Sequence, residues 1–328
     1  MADPIKWRSK IILVKPEVTY AVDPVPTGAA NAMLLTDVSF QPMEGQDVSR
    51  NLERPYLGAQ EDLPVGLYCV LTGSFELVGS GETGVAPGWG PMLRSCGVAE
   101  VVTPDAVPGD GSGTVEYSPV SDNHESFAVY FMIGMNRYVM LGSRSTAVIT
   151  VNALGIPVCR VTMTGLFTVP SVQARPTVNL DAFQEPQVAS KANTPVFTID
   201  AIPFVMRNFS LDLACDVQAR MLVGLERIVI VDKNERLTCQ VEAVSMATYN
   251  PVQRALTPKP RQPIILEHGT TAGRRVKVET PLSAQARFTG GTESQGVEEW
   301  PLTFSPLPDA GDDQWKITLT GSRNTEGL

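Results

Sequence analysis

At ~100–200 residues per domain, a chain of 328 residues is long enough for two packed domains, and 43% hydrophobic residues suffice for their cores. The net charge of −9 argues against a surface that grips nucleic acid, because tight phosphate binding needs clustered Lys and Arg. No apolar run approaches the ~20 residues of a membrane-spanning helix. The 27 glycines and 26 prolines indicate many turns, as in all-β proteins.

The first elements along the chain are strand candidates at residues 11–14 and 33–40. Residues 45–64 then form a polar, extended excursion, longer than the connections usually found inside compact domains. Such a segment either contacts a partner or is a mobile surface loop, and both interpretations stay open here. The side chains available for contacts are Arg50, Arg54, Tyr56 and Glu61.

Residues 67–78 predict a strand, and residues 85–98 predict a short amphipathic helix. In the latter segment Trp89, Met92, Leu93 and Cys96 recur at helical spacing, and Gly97 can end the helix. Residues 103–113 are a Gly/Pro/Asp loop, and residues 114–118 are the next strand candidate.

Residues 127–167 are the clearest pattern in the chain. Apolar and polar residues alternate along 147–152 and again along 159–167, the period of two expected for a sheet with one buried face. Turns with glycine at 134, 142 and 155 separate the runs. We predict an antiparallel meander.

The second part of the chain repeats this order of elements. A proline-containing segment at 171–196 is predicted to be a linker, after which strands alternate at 209–215 and 237–243. A helix candidate at 249–256 matches the first helix at an offset of 160 residues, and further strands follow it. We therefore predict a duplication, with one domain at 1–170 and another at 197–328.

The residues that carry chemistry form no recognisable site. Five cysteines without a C-x-x-C spacing indicate buried thiols in a reduced compartment, in preference to disulfides or a metal site. His124 and His268 lack metal-ligand spacing, and GSGETG at 79–84 resembles a dinucleotide-binding loop without the βαβ units that such a loop needs. PDAGDD at 308–313 fits a polar turn better than a calcium loop. We predict no catalytic residue, no cofactor and no metal.

A resemblance to a protein family rests on the order and spacing of short runs over nearly the whole chain. In the first part these runs are EVTY at 17–20, PTGAANA at 26–32, RPYLG at 54–58, LVGSG at 77–81, APGWGPMLRSCG at 86–97, EYSPVS at 116–121, LGSR at 141–144 and TGLF at 164–167. In the second part they are HGTTAG at 268–273 and the acidic pair Asp312 and Asp313. In these runs the chain resembles the tail tube proteins of bacteriophages with long non-contractile tails.

The resemblance implies a fold, a function and partners. Each tube domain consists of two packed antiparallel β-sheets flanked by one short helix, so the chain is expected to be all-β with minor α and two tandem tail-tube-like domains. Subunits form rings that stack into a tube, and DNA passes through the lumen without specific binding. The implied partners are further copies of the chain, the tape measure protein, the tail terminator and the tail-tip or baseplate proteins. The implied location is the virion, after assembly in the bacterial cytoplasm, with no membrane partner.

Two tube domains per chain predict a ring of three chains with pseudo-sixfold symmetry. The competing arrangement has six chains, with the second domain outside the tube. Under either arrangement the excursion at 45–64 is expected to reach a neighbouring subunit or the next ring. Two other functional classes remain: a soluble β-sandwich binding or adhesion module, and an enzyme that uses the glycine-rich loop.

Overall fold

The structure is a computed structural model, and it describes residues 4–256 and 260–321. Antiparallel strands dominate these residues, and the helices are short, so the predicted all-β class with minor helix is confirmed. In the described ranges, no helix has both the length and the apolar content that crossing a bilayer requires.

The first half of the described chain runs from β1 to β10. Its second helix begins near Pro91 and ends before Gly97, whose φ of 67° suits a glycine after a helix. That helix is shorter than the predicted 85–98, because Pro87 and Pro91 restrict its start. The elements are β1 (Lys10–Pro16), α1 (Gly28–Asn31), β2 (Ala32–Met33), β3 (Thr36–Ser49), β4 (Asp62–Glu76), α2 (Gly90–Arg94), β5 (Val98–Thr103), β6 (Thr114–Pro119), β7 (Phe127–Ile133), β8 (Asn136–Asn152), β9 (Val158–Phe167) and β10 (Ser171–Val172).

The second half runs from β11 to β21. Its helix is capped by the side chain of Asn250, which accepts a hydrogen bond from the backbone N–H of Gln253. The elements are β11 (Val196–Ile199), β12 (Ile202–Pro203), β13 (Met206–Asp212), β14 (Cys215–Leu222), β15 (Leu225–Lys233), β16 (Arg236–Glu242), α3 (Pro251–Ala255), β17 (Arg261–His268), β18 (Arg275–Gln285), β19 (Thr292–Ser294), β20 (Val297–Pro306) and β21 (Lys316–Thr320).

The two halves repeat the same antiparallel ladders in the same order. In the first half β1 pairs with β2 and β7, β3 with β4, β4 with β9, and β8 with β7, β9 and β10. In the second half β11 pairs with β12 and β17, β13 with β16, β16 with β20, and β18 with β17, β20 and β21. This correspondence supports the predicted duplication, while the division of the chain at 170 and 197 stays a prediction.

One sheet continues through both halves. Its strand order is β3, β4, β9, β8, β13, β16 and β20, followed by β19 and the end of β18. We call it the spanning sheet. The joint between the halves is the β8–β13 ladder, in which residues 148–152 face residues 208–212. A second ladder, between β6 and β21, links the halves elsewhere.

The core lies on one side of the spanning sheet. Because directly paired residues point to the same side of a sheet, apolar residues align in rows across the strands. Full burial of each such side chain contributes about 1.5–3 kcal/mol. One row crosses the joint without interruption and consists of Phe75, Cys159, Ile149, Leu211, Leu237 and Phe304.

The run GSGETG at 79–84 has a structural explanation. It lies between β4 and α2, where its backbone meets the second half. The N–H of Gly81 donates to the carbonyl of Gly273 at 3.1 Å, and a Cβ on Gly79 would lie 2.1 Å from the same carbonyl oxygen. Glycine is needed there because two backbones approach each other. The two glycine-rich runs that the sequence singled out thus meet each other.

Polar contacts complete the joint. Lys233 of the second half donates its ammonium protons to the carbonyls of Gly97 at 2.6 Å and Val120 at 2.8 Å, just past the end of α2. A cation there also interacts favourably with the helix dipole. The backbone N–H of Ile228 donates to the hydroxyl of Tyr20 at 2.6 Å.

We predict that Gly79→Ala destabilises the protein by about 1–3 kcal/mol, because the added methyl group forces the two backbones apart. The measurement is urea unfolding followed by far-ultraviolet circular dichroism. Gly58→Ala is the matched control, since no atom lies within 4 Å of its added Cβ. Equal stabilities of the two variants would show that the contact is not tight.

Candidate assembly surfaces

The side of the spanning sheet opposite the core is polar, and we call it the polar face. Hydroxyl side chains form the same row in both halves, at positions with the same strand pairing. The first row is Ser39, Thr72 and Thr162, and the second is Ser210, Thr238 and Thr303. Residue identity at three equivalent positions is a signal of duplication that sequence offsets alone did not reveal.

Charges of both signs are scattered over the polar face. They do not form a basic cluster, because acidic and basic side chains are interspersed, and two carboxylates, Glu242 and Glu299, lie opposite each other. The hydroxyls and these charges leave a hydrated surface without the dense positive charge that holds phosphates tightly. The charged side chains include Glu76, Arg160, Asp212, Arg236, Glu242 and Glu299.

The spanning sheet ends in two strands that each pair on one side only. β13 pairs with β8 and β16, whereas its counterpart β3 pairs only with β4 among the described residues. The packing reflects this difference. Leu211 in β13 is fully buried, but Phe40, which occupies its position in β3, is only half-buried and stacks on Phe131 at 4.5 Å.

The other end of the spanning sheet is β19. Thr150 of β8 faces Val158, which in turn faces Glu76 of β4. Thr292 of β19 faces Glu299, which in turn faces Glu242 of β16. β19 therefore occupies the place of residues 150–152 in β8, the part that pairs with β13. Within the described chain β19 pairs only with β20, so its outer edge has no strand beside it.

The predicted excursion at 45–64 is the outer end of a hairpin, with strand at both of its ends and an irregular segment between them. β3 continues to Ser49 and β4 begins at Asp62, so only residues 50–61 are irregular. The sequence did not predict these strand ends because both faces of the hairpin are largely exposed, which removes the alternation of apolar and polar residues. We call the outer part of this hairpin, residues 43–68, the arm.

The four predicted contact residues lie at or beside the tip of the arm. Arg50 and Glu61 form an exposed ion pair, with nitrogen and oxygen 3.6 Å apart. Arg54 and Tyr56 lie within the irregular segment, and Tyr56 is 65% exposed. An exposed ion pair contributes ~0–1 kcal/mol, so this pair orders the tip only weakly. A role for these residues in contacts with a partner remains a prediction.

The second half has a counterpart of the arm in the β14–β15 hairpin, and this hairpin lies on the first half. The N–H of Cys215 donates to the hydroxyl of Thr146 at 3.0 Å, and Ile228 contacts Tyr20 as described above. A cleft of about 1140 Å³ lies between the hairpin and the first half, and its walls include Met221, Gly66 at the base of the arm and Thr162 of the polar face. The counterpart thus shows how such a hairpin packs on a neighbouring half.

The histidines and cysteines have structural surroundings. His268 is buried, and its ring nitrogens lie 3.0 Å from the hydroxyl of Thr194 and 3.0 Å from the carbonyl of Gln187. Burial lowers the pKa of His268 below its ordinary value. All five cysteines are buried. No group of three or more His, Cys, Asp or Glu side chains within residues 4–256 and 260–321 could hold a metal ion.

No protein-family model matches the chain, and no curated protein sequence matches it.

One ion pair at the start of β13 connects the joint with the polar face. Arg207 binds the carboxylate of Glu299, which is 2% exposed, and Gln240 also donates to it. The hydrogen bonds from Arg207 hold the pKa of Glu299 below its ordinary value of 4.5. A lowered folded-state pKa stabilises the fold at neutral pH, and this stabilisation is lost as the pH falls through that pKa.

We predict that Arg207→Ala lowers the free energy of unfolding at pH 7, because it leaves a buried carboxylate without its cation. The difference from wild type should shrink as the pH falls and Glu299 takes up a proton. Urea unfolding at a series of pH values measures both effects. Arg220→Ala, at an exposed position in β14, is the control. A difference independent of pH would contradict this account of the pair.

Proposed function

We propose that the protein is a structural, non-enzymatic subunit that joins edge to edge into closed rings, and that the rings stack into the tail tube of a bacteriophage. The polar face lines the lumen and conducts DNA without binding it specifically. The observation that carries the proposal is the internal joint: one half already pairs with the other through the spanning sheet, and the same two kinds of edge recur unpaired at its ends.

The contact between copies follows from that joint. Within the chain, the end of β8 pairs with β13. Between chains, β19 of one copy pairs in the same way with β3 of the next copy. Each copy then offers a different edge to each of its two neighbours, so the contact is heterologous. A ring closes when the rotation that relates one copy to the next brings the last copy back to the first. Closure also removes the exposed edges, which otherwise promote uncontrolled aggregation.

The polar face suits a lumen through which DNA slides. A duplex is held by neutralising many phosphates, and each contact with a Lys or Arg adds to its retention. The polar face instead presents rows of hydroxyls and scattered charges of both signs, on a protein with a net charge of −9. Such a surface keeps the DNA hydrated and mobile.

The number of chains per ring follows from the number of equivalent halves. If both halves contribute to one barrel, three chains supply six equivalent halves and the ring has pseudo-sixfold symmetry. The tape measure protein, the tail terminator and the tail-tip or baseplate proteins are then the partners of the tube, and the virion is its location. These assignments come from the family resemblance of the sequence.

The edge contact predicts a specific cross-link. Thr150 faces Ser210 in the internal joint, so Thr292 of one copy should face Ser39 of the next. Cα atoms of directly opposite residues in antiparallel strands lie ~4.5–5.5 Å apart, within the range of a disulfide. Ser39→Cys combined with Thr292→Cys should therefore give a ladder of covalent multimers under mild oxidation. The native cysteines are buried, and the wild type oxidised in the same way shows the background of multimers that these cysteines form.

The control for this cross-link pairs Ser39→Cys with Thr103→Cys, an exposed position away from β19. Covalent multimers in the control and not in the test variant would overturn the proposed edge contact. A variant that assembles normally but gives no cross-link would also overturn it.

The stoichiometry is a separate prediction. Native mass spectrometry of rings, or the symmetry of a tube seen by electron microscopy, should give three chains per ring. Six chains per ring would mean that only one half of each chain contributes to the barrel. Purified protein that stays monomeric at high concentration, without rings or tubes, would contradict the proposed function itself.

A further inference from the structure

Two clefts occupy equivalent places in the two halves. The N-terminal cleft lies beside β1, β2 and the start of β3, and it is lined by Trp7, Arg8, Lys10, Met33, Leu35 and Val38 among others. The counterpart cleft lies beside β11, β12 and the start of β13, and Lys191, Phe197 and Phe204 are among its walls. Each has a volume of about 650 Å³.

The counterpart cleft receives a turn from the other half. The turn between β8 and β9 enters beside it, and its Leu154 forms part of the wall. The backbone of this turn is anchored on both sides. The N–H of Ala153 donates to the carbonyl of Arg207 at 2.8 Å, and the N–H of Leu154 donates to the carbonyl of Ala189 at 2.8 Å.

The N-terminal cleft has no such turn among the described residues. Its lining comes from the first strands of the chain and from Val178 and Leu180 in the segment after β10. Two large apolar side chains there face solvent: Trp7 is 72% exposed and Leu34 is 46% exposed. Exposed aromatic and aliphatic groups grouped at a cleft are typical of a contact surface.

We infer that the N-terminal cleft receives the β19–β20 turn, residues 294–297, of a second copy of this chain. This turn is the counterpart of the β8–β9 turn, because β19 and β20 occupy the places of the end of β8 and the start of β9. It is a tight turn, in which Gln295 and Gly296 both have positive φ. Its exposed Val297 supplies an apolar side chain, whereas Leu154, which borders the counterpart cleft, stays 83% exposed.

Charge also favours the match between the cleft and the turn. Two basic side chains, Arg8 and Lys10, and one acidic side chain, Asp37, belong to the lining of the N-terminal cleft, and the ammonium of Lys10 lies 3.9 Å from the ring centroid of Trp7. The turn is flanked by two exposed carboxylates, Glu293 and Glu298. Opposite charges that meet across a contact favour the correct partner and raise the rate of association.

This inference rests on the proposed assembly, because it needs a second copy, but it concerns a different contact from the strand pairing. It also has its own spectroscopic probe. Trp89, Trp300 and Trp315 are at most 2% exposed, so Trp7 is the tryptophan whose surroundings change when copies associate. Ring formation should therefore shift the fluorescence maximum to shorter wavelength. Trp7→Phe should abolish the shift, even if that variant still assembles.

Charge reversal tests the occupant of the cleft. Glu293→Lys should raise the protein concentration needed for half-assembly roughly tenfold, which corresponds to ~1.4 kcal/mol. Arg8→Glu should do the same, and the two substitutions together should restore assembly. Glu185→Lys, an exposed carboxylate outside both surfaces, is the matched control and should assemble like wild type. Light scattering and sedimentation velocity measure assembly, and circular dichroism confirms that each variant is folded.

The outcomes separate this inference from the proposed function. Wild-type rings without a change in Trp7 fluorescence would overturn the cleft contact and leave the ring intact. The cleft contact would also be overturned if the variant with both charge reversals assembles no better than expected from the sum of the two single defects. If the wild type never associates, both the ring and the cleft contact are wrong.

Discussion

The structure depends on the hydrogen-bond ladder between β8 and β13. An unpaired strand edge exposes a row of backbone donors and acceptors, and a protein must cover or pair it. Here the edge of β8 pairs with β13 of the second half. Because of this pairing, the sheet and the apolar rows on its core side continue from one half into the other. The glycine contact, Lys233 and Tyr20 hold the halves at the distance that this ladder requires. Among residues 4–256 and 260–321, no strand meets this requirement at the two ends of the spanning sheet, and this asymmetry is the physical basis of the proposed assembly.

Sequence patterns predicted the parts of the fold whose two faces differ most. Residues 147–167 have one buried and one polar face, so their alternation was strong, and the structure has the end of β8 and all of β9 there. The turn predicted at Gly142 is wrong: β8 continues through it with a shift of register between Leu141 and Arg144. The arm was interpreted as a loop because both of its faces are largely exposed and its composition is polar. GSGETG looked like a cofactor loop because a pattern of glycines cannot show whether a phosphate or another backbone approaches. In this chain the backbone of Gly273 approaches it.

The sequence could not predict the candidate surfaces, for a different reason. Whether an edge is free depends on strand order, and strand order is set by contacts between residues far apart in the chain. The β8–β13 and β16–β20 ladders each join residues about 60 positions apart, and the β4–β9 ladder joins residues about 90 positions apart. The repeated hydroxyl row has the same origin. Ser39 and Ser210 become recognisable as equivalent only once each is seen opposite a threonine, Thr72 in one case and Thr238 in the other.

Joining two equivalent halves in one chain changes how an assembly of this kind forms. Half of the joints in a ring are then made within the chain as it folds, and a tethered partner has an effective concentration in the millimolar range for short linkers. Only the joint between copies depends on protein concentration, so the ring needs fewer encounters to close. The two types of joint are also free to differ. The internal joint is buried and rigid, with Leu211 in a continuous core. At the proposed external joint Phe40 is half-buried and Trp7 is exposed in the single chain, and the charges lie near the surface. On this proposal the free subunit stays dispersed until enough copies accumulate. In the proposed assembly a single sheet thus provides both a permanent contact within the chain and a concentration-dependent contact between copies.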